Sequence, residues 1–247
     1  MVTRRNVSML VAELLGTATL TMVVLAASKS AVGIPYFVAI AVGLTLALIV
    51  SMFGENSGAH VNPAVTLGMW TLKRITTVTA LLYLAMQFAG AAIAMRLYEY
   101  LSARPLTSIA EKEFGWPVVV AEIVGTMIFT LGIAAAVYQK FDSGRKALVI
   151  GGSLGLGILV AAVGSNAGLN PAVALGIQSW SIAYVAGPII GAVIGMNLYA
   201  YLFASEKLDE EPLNIFEPKT RIQKAKSKIE AEVGKVVTKA KKKAKRK

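Results

Sequence analysis

Six apolar stretches of nearly bilayer-spanning length, at about 9–28, 35–53, 77–101, 116–138, 147–164 and 182–204, decide what this chain can become. About 20 apolar residues wound as a helix cross a hydrocarbon core, and within lipid a helix satisfies its own backbone. Two further apolar segments, Val61 to Leu72 and Leu169 to Ile177, are too short to cross, and each begins at an Asn-Pro-Ala triplet. Short segments of this kind read as re-entrant half-helices. The expected fold class is an all-α membrane protein of six transmembrane helices plus two re-entrant half-helices.

The chain also repeats itself. Ala12-Glu13-Leu14-Leu15-Gly16-Thr17 returns as Ala121-Glu122-Ile123-Val124-Gly125-Thr126, and Asn62-Pro63-Ala64-Val65 returns as Asn170-Pro171-Ala172-Val173, at offsets of 109 and 108. The third and sixth spans match through Gly90-Ala91 with Met95 and Gly191-Ala192 with Met196. Each half holds three spans, an odd number, so the second half sits upside down relative to the first, as an inverted repeat. The domains expected are a transmembrane unit over 1–204, with halves at about 1–101 and 116–204, and a tail over 205–247.

Composition supports lipid as the solvent, with 55% hydrophobic and 16% charged residues. The absence of cysteine removes disulfides, thiol nucleophiles and thiolate metal sites. Lysine and arginine collect in the connections that share a side with the N-terminus, at Arg4, Arg5, Lys73, Arg74, Lys140, Arg145 and Lys146. By the positive-inside rule both termini are cytoplasmic and the protein resides in the cell membrane. From Lys219 onward thirteen lysines and arginines face two glutamates, an excess of eleven that equals the net charge of the whole chain. Ile222, Ala225, Ile229, Val233, Val236 and Ala240 fall at helical spacing there, which suits a basic amphipathic helix on anionic lipid; a disordered solubilising tail is the alternative. The tail has no aromatic residue after Phe216 for base stacking, which argues against nucleic acid.

Asn-Pro-Ala is a device for starting a helix. Asparagine is a favoured N-cap, and proline at the first helical position has no N–H to leave unsatisfied. Inversion brings both half-helix starts, Asn62-Pro63-Ala64 and Asn170-Pro171-Ala172, to the midplane with their positive dipole ends converging, which repels cations. The asparagine amides offer donors to a passing oxygen. Backbone carbonyls before each triplet offer acceptors: Ala59, His60 and Val61 on one side, Ser165, Asn166, Ala167 and Gly168 on the other. Irregular backbone is tolerated at that depth where it lines a wet path.

The run Ser57-Gly58-Ala59-His60-Val61-Asn62-Pro63-Ala64-Val65-Thr66, the second triplet and the paired Ala-Glu-x-x-Gly-Thr segments resemble the aquaporin and glycerol-facilitator family, also called major intrinsic proteins. The resemblance covers about residues 9 to 204. It implies an hourglass fold, a homotetramer with one pore per subunit, and passive conduction of water or small uncharged solutes without a cofactor. It also implies an outer filter in which the second triplet is followed by an arginine. Here Val173 stands instead, and ungapped counting puts the other filter positions at Val42, Ile158 and Ala167, making this a microbial-type member with a wide apolar filter.

Two readings remain for the charged groups of the apolar core. Glu13 and Glu122 either relay protons or accept hydrogen bonds from the re-entrant backbone. His60 is either a loop brace or a ligand or pH sensor; it is the sole histidine, and no cysteine or carboxylate cluster accompanies it, so no metal site is expected. Gly187, Gly191 and Gly195, like Gly90, suit close helix packing, while Gly43, Gly155 and Gly157 suit either packing or a widened lumen. A single histidine and no cysteine leave no plausible triad, so no enzyme is expected. The rival functions are a secondary transporter, which inverted repeats with broken helices also build, and a structural membrane protein with a vestigial pore.

Overall fold

A computed structural model describes residues 3–108 and 115–204; the basic tail lies outside the described residues. They form eight helices and no β-strand: α1 (Arg4–Ser28), α2 (Pro35–Ser57), α3 (Pro63–Thr71), α4 (Thr77–Ser102), α5 (Trp116–Tyr138), α6 (Ser143–Ala161), α7 (Pro171–Gly176) and α8 (Ile182–Leu202). Six of these are long and apolar enough to cross a membrane, and α3 and α7 are the two short ones. Since α1 and α2 return the chain to its starting side, α3 enters from the side bearing the first residues. The inverted second half brings α7 in from the far side.

The helix ends depart from the hydropathy reading where capping outweighs it. The apolar run of the fifth span begins at Ala147, yet α6 starts at Ser143 because the Asp142 carboxylate accepts from the amides of Gly144 and Arg145 at 3.1 and 3.0 Å. At the other end α6 stops at Ala161, three residues before the expected Gly164. The second span runs on through Glu55 to Ser57 and ends at Gly58, whose φ of 90° is the left-handed conformation that glycine adopts without cost.

Polarity is inverted relative to a water-soluble bundle. Leucines and isoleucines such as Leu44, Leu48, Leu81, Leu148 and Ile190 are exposed on the outer faces, while Glu13, Thr17, Gln87, Glu122 and Thr126 are fully buried. An outer surface of this kind fits lipid. Tyr36, Tyr100, Trp116 and Tyr201 are exposed near helix ends, where amphipathic rings sit at a membrane interface.

Helix pairing follows the repeat. α1 packs on α4 as α5 packs on α8, and α2 meets α6 between the halves. Each half-helix leans on the other half, α3 on α8 and α7 on α4. Glycines permit these approaches. A Cβ at Gly191 would strike the carbonyl oxygen of Ile123 on α5, and one at Gly90 the carbonyl oxygen of Leu14 on α1. At the crossing between halves, a Cβ at Gly43 would lie 2.8 Å from the Gly151 carbonyl oxygen, and one at Gly155 3.1 Å from that of Ala39. Gly43 and Gly155 thus pack helices.

Gly90→Ala and Gly191→Ala should each lower stability by about 1–3 kcal/mol, the usual scale of overpacking. The check is the melting midpoint of detergent-solubilised protein, with Gly152→Ala as the control because nothing lies within 4 Å of its added carbon. Equal midpoints for Gly152→Ala and Gly191→Ala would contradict the packing account.

Candidate functional site

Both half-helices begin from backbone that lacks regular support. Ala59 and Val61 have φ of 49° and 43°, and Ala167 and Leu169 have 50° and 47°. The left-handed region costs an L-residue about 1–2 kcal/mol. Alternating it with residues of ordinary conformation turns successive N–H groups to one side and makes a concavity for an anion. In each half, the anion is a glutamate side chain of the protein itself.

Glu13 fills the first concavity. Its Oε1 accepts from Ser57 Oγ at 2.7 Å and the His60 amide at 3.0 Å, and its Oε2 from the Val61 amide at 2.7 Å and Gln87 Nε2 at 2.8 Å. Glu122 fills the second: Oε1 accepts from Ser165 Oγ at 2.7 Å and the Gly168 amide at 2.9 Å, Oε2 from the Leu169 amide at 2.7 Å. Serine completes each loop, since Ser57 Oγ accepts the Ala59 amide at 3.0 Å and Ser165 Oγ the Ala167 amide at 2.9 Å. The two loops differ in one respect. Gln87 reinforces the first, whereas the matching place in the last span, 101 residues on, is Pro188.

The triplets then lock to each other. Asn62 Oδ1 caps α3 by accepting the Ala64 amide at 2.8 Å, and Asn170 Oδ1 caps α7 by accepting the amides of Ala172 and Val173 at 3.0 and 3.3 Å. Asn62 Nδ2 donates to the Leu169 carbonyl and Asn170 Nδ2 to the Val61 carbonyl, both at 2.8 Å. Each carboxamide uses one N–H across the pseudo-twofold axis and keeps its second. Pro63 and Pro171 take the first helical positions, and Ala64 and Ala172 are fully buried behind them. The half-helix starts therefore abut, with their positive ends together.

A cavity of about 300 Å³ opens on the far side at Lys29, Gly33 and Pro35 and reaches Asn62 and Asn170. Val42, Ile158, Ala167 and Val173 all line it, as do His60, Val61, Ser165, Asn166 and Gly168. A second cavity, of about 60 Å³, lies toward the side bearing the first residues and is lined by Ala59, His60, Met69 and Lys146 among others.

Several participants carry no obvious mark in the sequence. Gln87 joins Glu13 to Thr66, whose Oγ1 accepts from Gln87 Nε2 at 2.9 Å and lies 3.2 Å from His60 Nδ1. Tyr83 donates its hydroxyl to the Ser57 carbonyl at 2.8 Å, and the Tyr184 hydroxyl accepts from the Asn166 amide at 2.9 Å. These tyrosines are 101 residues apart, the offset that already relates Gly90 to Gly191, and that spacing was the available signal.

Comparison with known proteins agrees with this geometry. The model of the major intrinsic protein family matches residues 2–199. Aquaporin Z of Photorhabdus laumondii is 32% identical over 227 residues, covering 80% of this chain and 98% of its own length. Aquaporin AqpM of Methanothermobacter thermautotrophicus is 30% identical over 190 residues, covering 67% of this chain and 76% of its own. The solved aquaglyceroporin of Plasmodium falciparum superposes with a TM-score of 0.69 at 19% identity, over 80% of this chain and 96% of that one, a likeness of fold. The chain belongs to the major intrinsic protein family. It is a multi-pass passive membrane channel for water or small uncharged solutes and not an enzyme.

Replacing Asn170 by leucine removes a cap worth about 1 kcal/mol and leaves the Val61 carbonyl unpaired, at a further cost of about 1–3 kcal/mol. Asn170→Leu should lower the melting midpoint and abolish water flux in reconstituted vesicles. Native flux through a folded Asn170→Leu protein would contradict the central lock.

Proposed function

We infer that this channel passes water together with small neutral solutes of about glycerol size, through one path in each subunit of a homotetramer. In this reading it sits in the cell membrane with both termini cytoplasmic, and the basic tail engages anionic lipid. The observation that carries the solute reading is the chemistry of the outer station. Val42, Ile158, Ala167 and Val173 border the large cavity and bring no charge and no side-chain hydrogen bond to it. An apolar and uncharged station has no means of holding a narrow file of water and refusing a small polyol.

The remaining site residues divide the labour. The second N–H of Asn62 and of Asn170 donates to a passing oxygen, and the carbonyls of Ala59, His60, Val61, Ser165, Asn166 and Gly168 accept along the way. Glu13 and Glu122 brace the loops, since they accept from the loop amides and from Ser57 and Ser165, with Gln87 added at Glu13. Cation exclusion rests on the paired half-helix starts and on two lysines. Lys29 and Lys146 are the charged side chains lining the two cavities among the described residues, one at each end, so an entering cation meets like charge from either side.

Val173→Arg supplies bulk and positive charge at the outer station. It should reduce glycerol and urea permeability more than water permeability, measured by stopped-flow light scattering on proteoliposomes at matched incorporation. A native protein that already excludes glycerol and urea as fully as a strict water channel would overturn the reading that it passes small neutral solutes.

A further inference from the structure

The two cavities of the pore meet at three side chains. Leu46, His60 and Phe129 line both the cavity of about 300 Å³ and the one of about 60 Å³, and each of the three is at least 95% buried. The outer station does not interrupt the path in this way: its four side chains border the same continuous cavity as Asn62 and Asn170. The interruption falls beyond the asparagines, on the side bearing the first residues.

The three groups come from three separate elements, Leu46 on α2, His60 on the first re-entrant loop and Phe129 on α5. His60 is held on two sides, by Thr66 Oγ1 at 3.2 Å from Nδ1 and by the edge-to-face ring of Tyr83 at 5.4 Å between centroids. Thr66 Oγ1 also accepts from Gln87 Nε2, which ties His60 to the Glu13 network. The other ring nitrogen, Nε2, makes no hydrogen bond among the described residues. The ring thus presents one polar nitrogen and two apolar walls. Phe129 is the largest of the three groups.

We propose that molecules are sorted by size at the ring of Leu46, His60 and Phe129, with Phe129 the specificity-determining residue, rather than at the four outer-station side chains. This rests on the channel reading above. Water passes by hydrogen bonding to His60 Nε2. A larger solute must in addition fit its carbon atoms between Leu46 and the Phe129 ring, and this steric demand sets the upper size of what crosses.

The test is the ratio of glycerol to water permeability in proteoliposomes for the native protein, Phe129→Ala, Phe129→Leu and Val42→Ala, with erythritol as a larger probe. Phe129→Leu keeps an apolar side chain and guards against a folding failure of Phe129→Ala. The expected result is a several-fold rise in the ratio for both Phe129 variants, greatest for alanine, and erythritol passage gained in them, with a smaller change for Val42→Ala. Water flux with an unmoved ratio in the Phe129 variants, or a rise in Val42→Ala equal to theirs, would overturn the ring while leaving the channel reading intact. A native protein that raises neither water nor glycerol flux would overturn both.

Discussion

Everything at the centre of this protein depends on two carboxylates accepting backbone amides inside a membrane. A segment that leaves helical geometry at that depth exposes N–H groups that lipid cannot satisfy, each at a cost of several kcal/mol. Glu13 and Glu122 take up those amides in pairs, and the left-handed residues beside His60 and Gly168 exist because the pairs must point the same way. Once the loops are fixed, Asn62 and Asn170 come within reach of each other's loops, and the two half-helix starts lock. The large cavity is what remains beside that lock.

The duplicated architecture explains why so few contacts are needed to define the path. Each half contributes one glutamate, one loop serine, one tyrosine and one capping asparagine, and the cross-bonds join the halves at their least regular backbone. The symmetry is incomplete. Gln87 has Pro188 as its counterpart, and the bonds that tie His60 through Thr66 to Gln87 exist in the first half alone. The side carrying that extra bracing is also the side where the two cavities meet at Leu46, His60 and Phe129.

The spans, the inverted repeat and the half-helices were legible because membrane burial writes them as long apolar runs, and duplication writes the triplets twice. Glu13 and Glu122 stood out as charges in apolar runs. Their partners did not, because a hydrogen bond from Gln87 to Glu13 joins residues 74 apart and nothing local announces it. Phe129 was invisible for a different reason: an apolar residue in an apolar helix is indistinguishable from its lipid-facing neighbours until the packing is known. The start of α6 was misread because hydropathy discounts Arg145 and Lys146, whereas the Asp142 cap holds them in the first turn.

Conduction through this protein is passive, and inverted repeats with broken helices also build gradient-driven transporters. The most direct measurement is osmotic water permeability of proteoliposomes by stopped-flow light scattering, with and without ionophores that collapse proton and sodium gradients. A channel shrinks the vesicles much faster than empty liposomes do, at a rate proportional to the osmotic gradient and unchanged by the ionophores. Shrinkage no faster than in empty liposomes, or flux that disappears when an ion gradient is collapsed, would contradict the account.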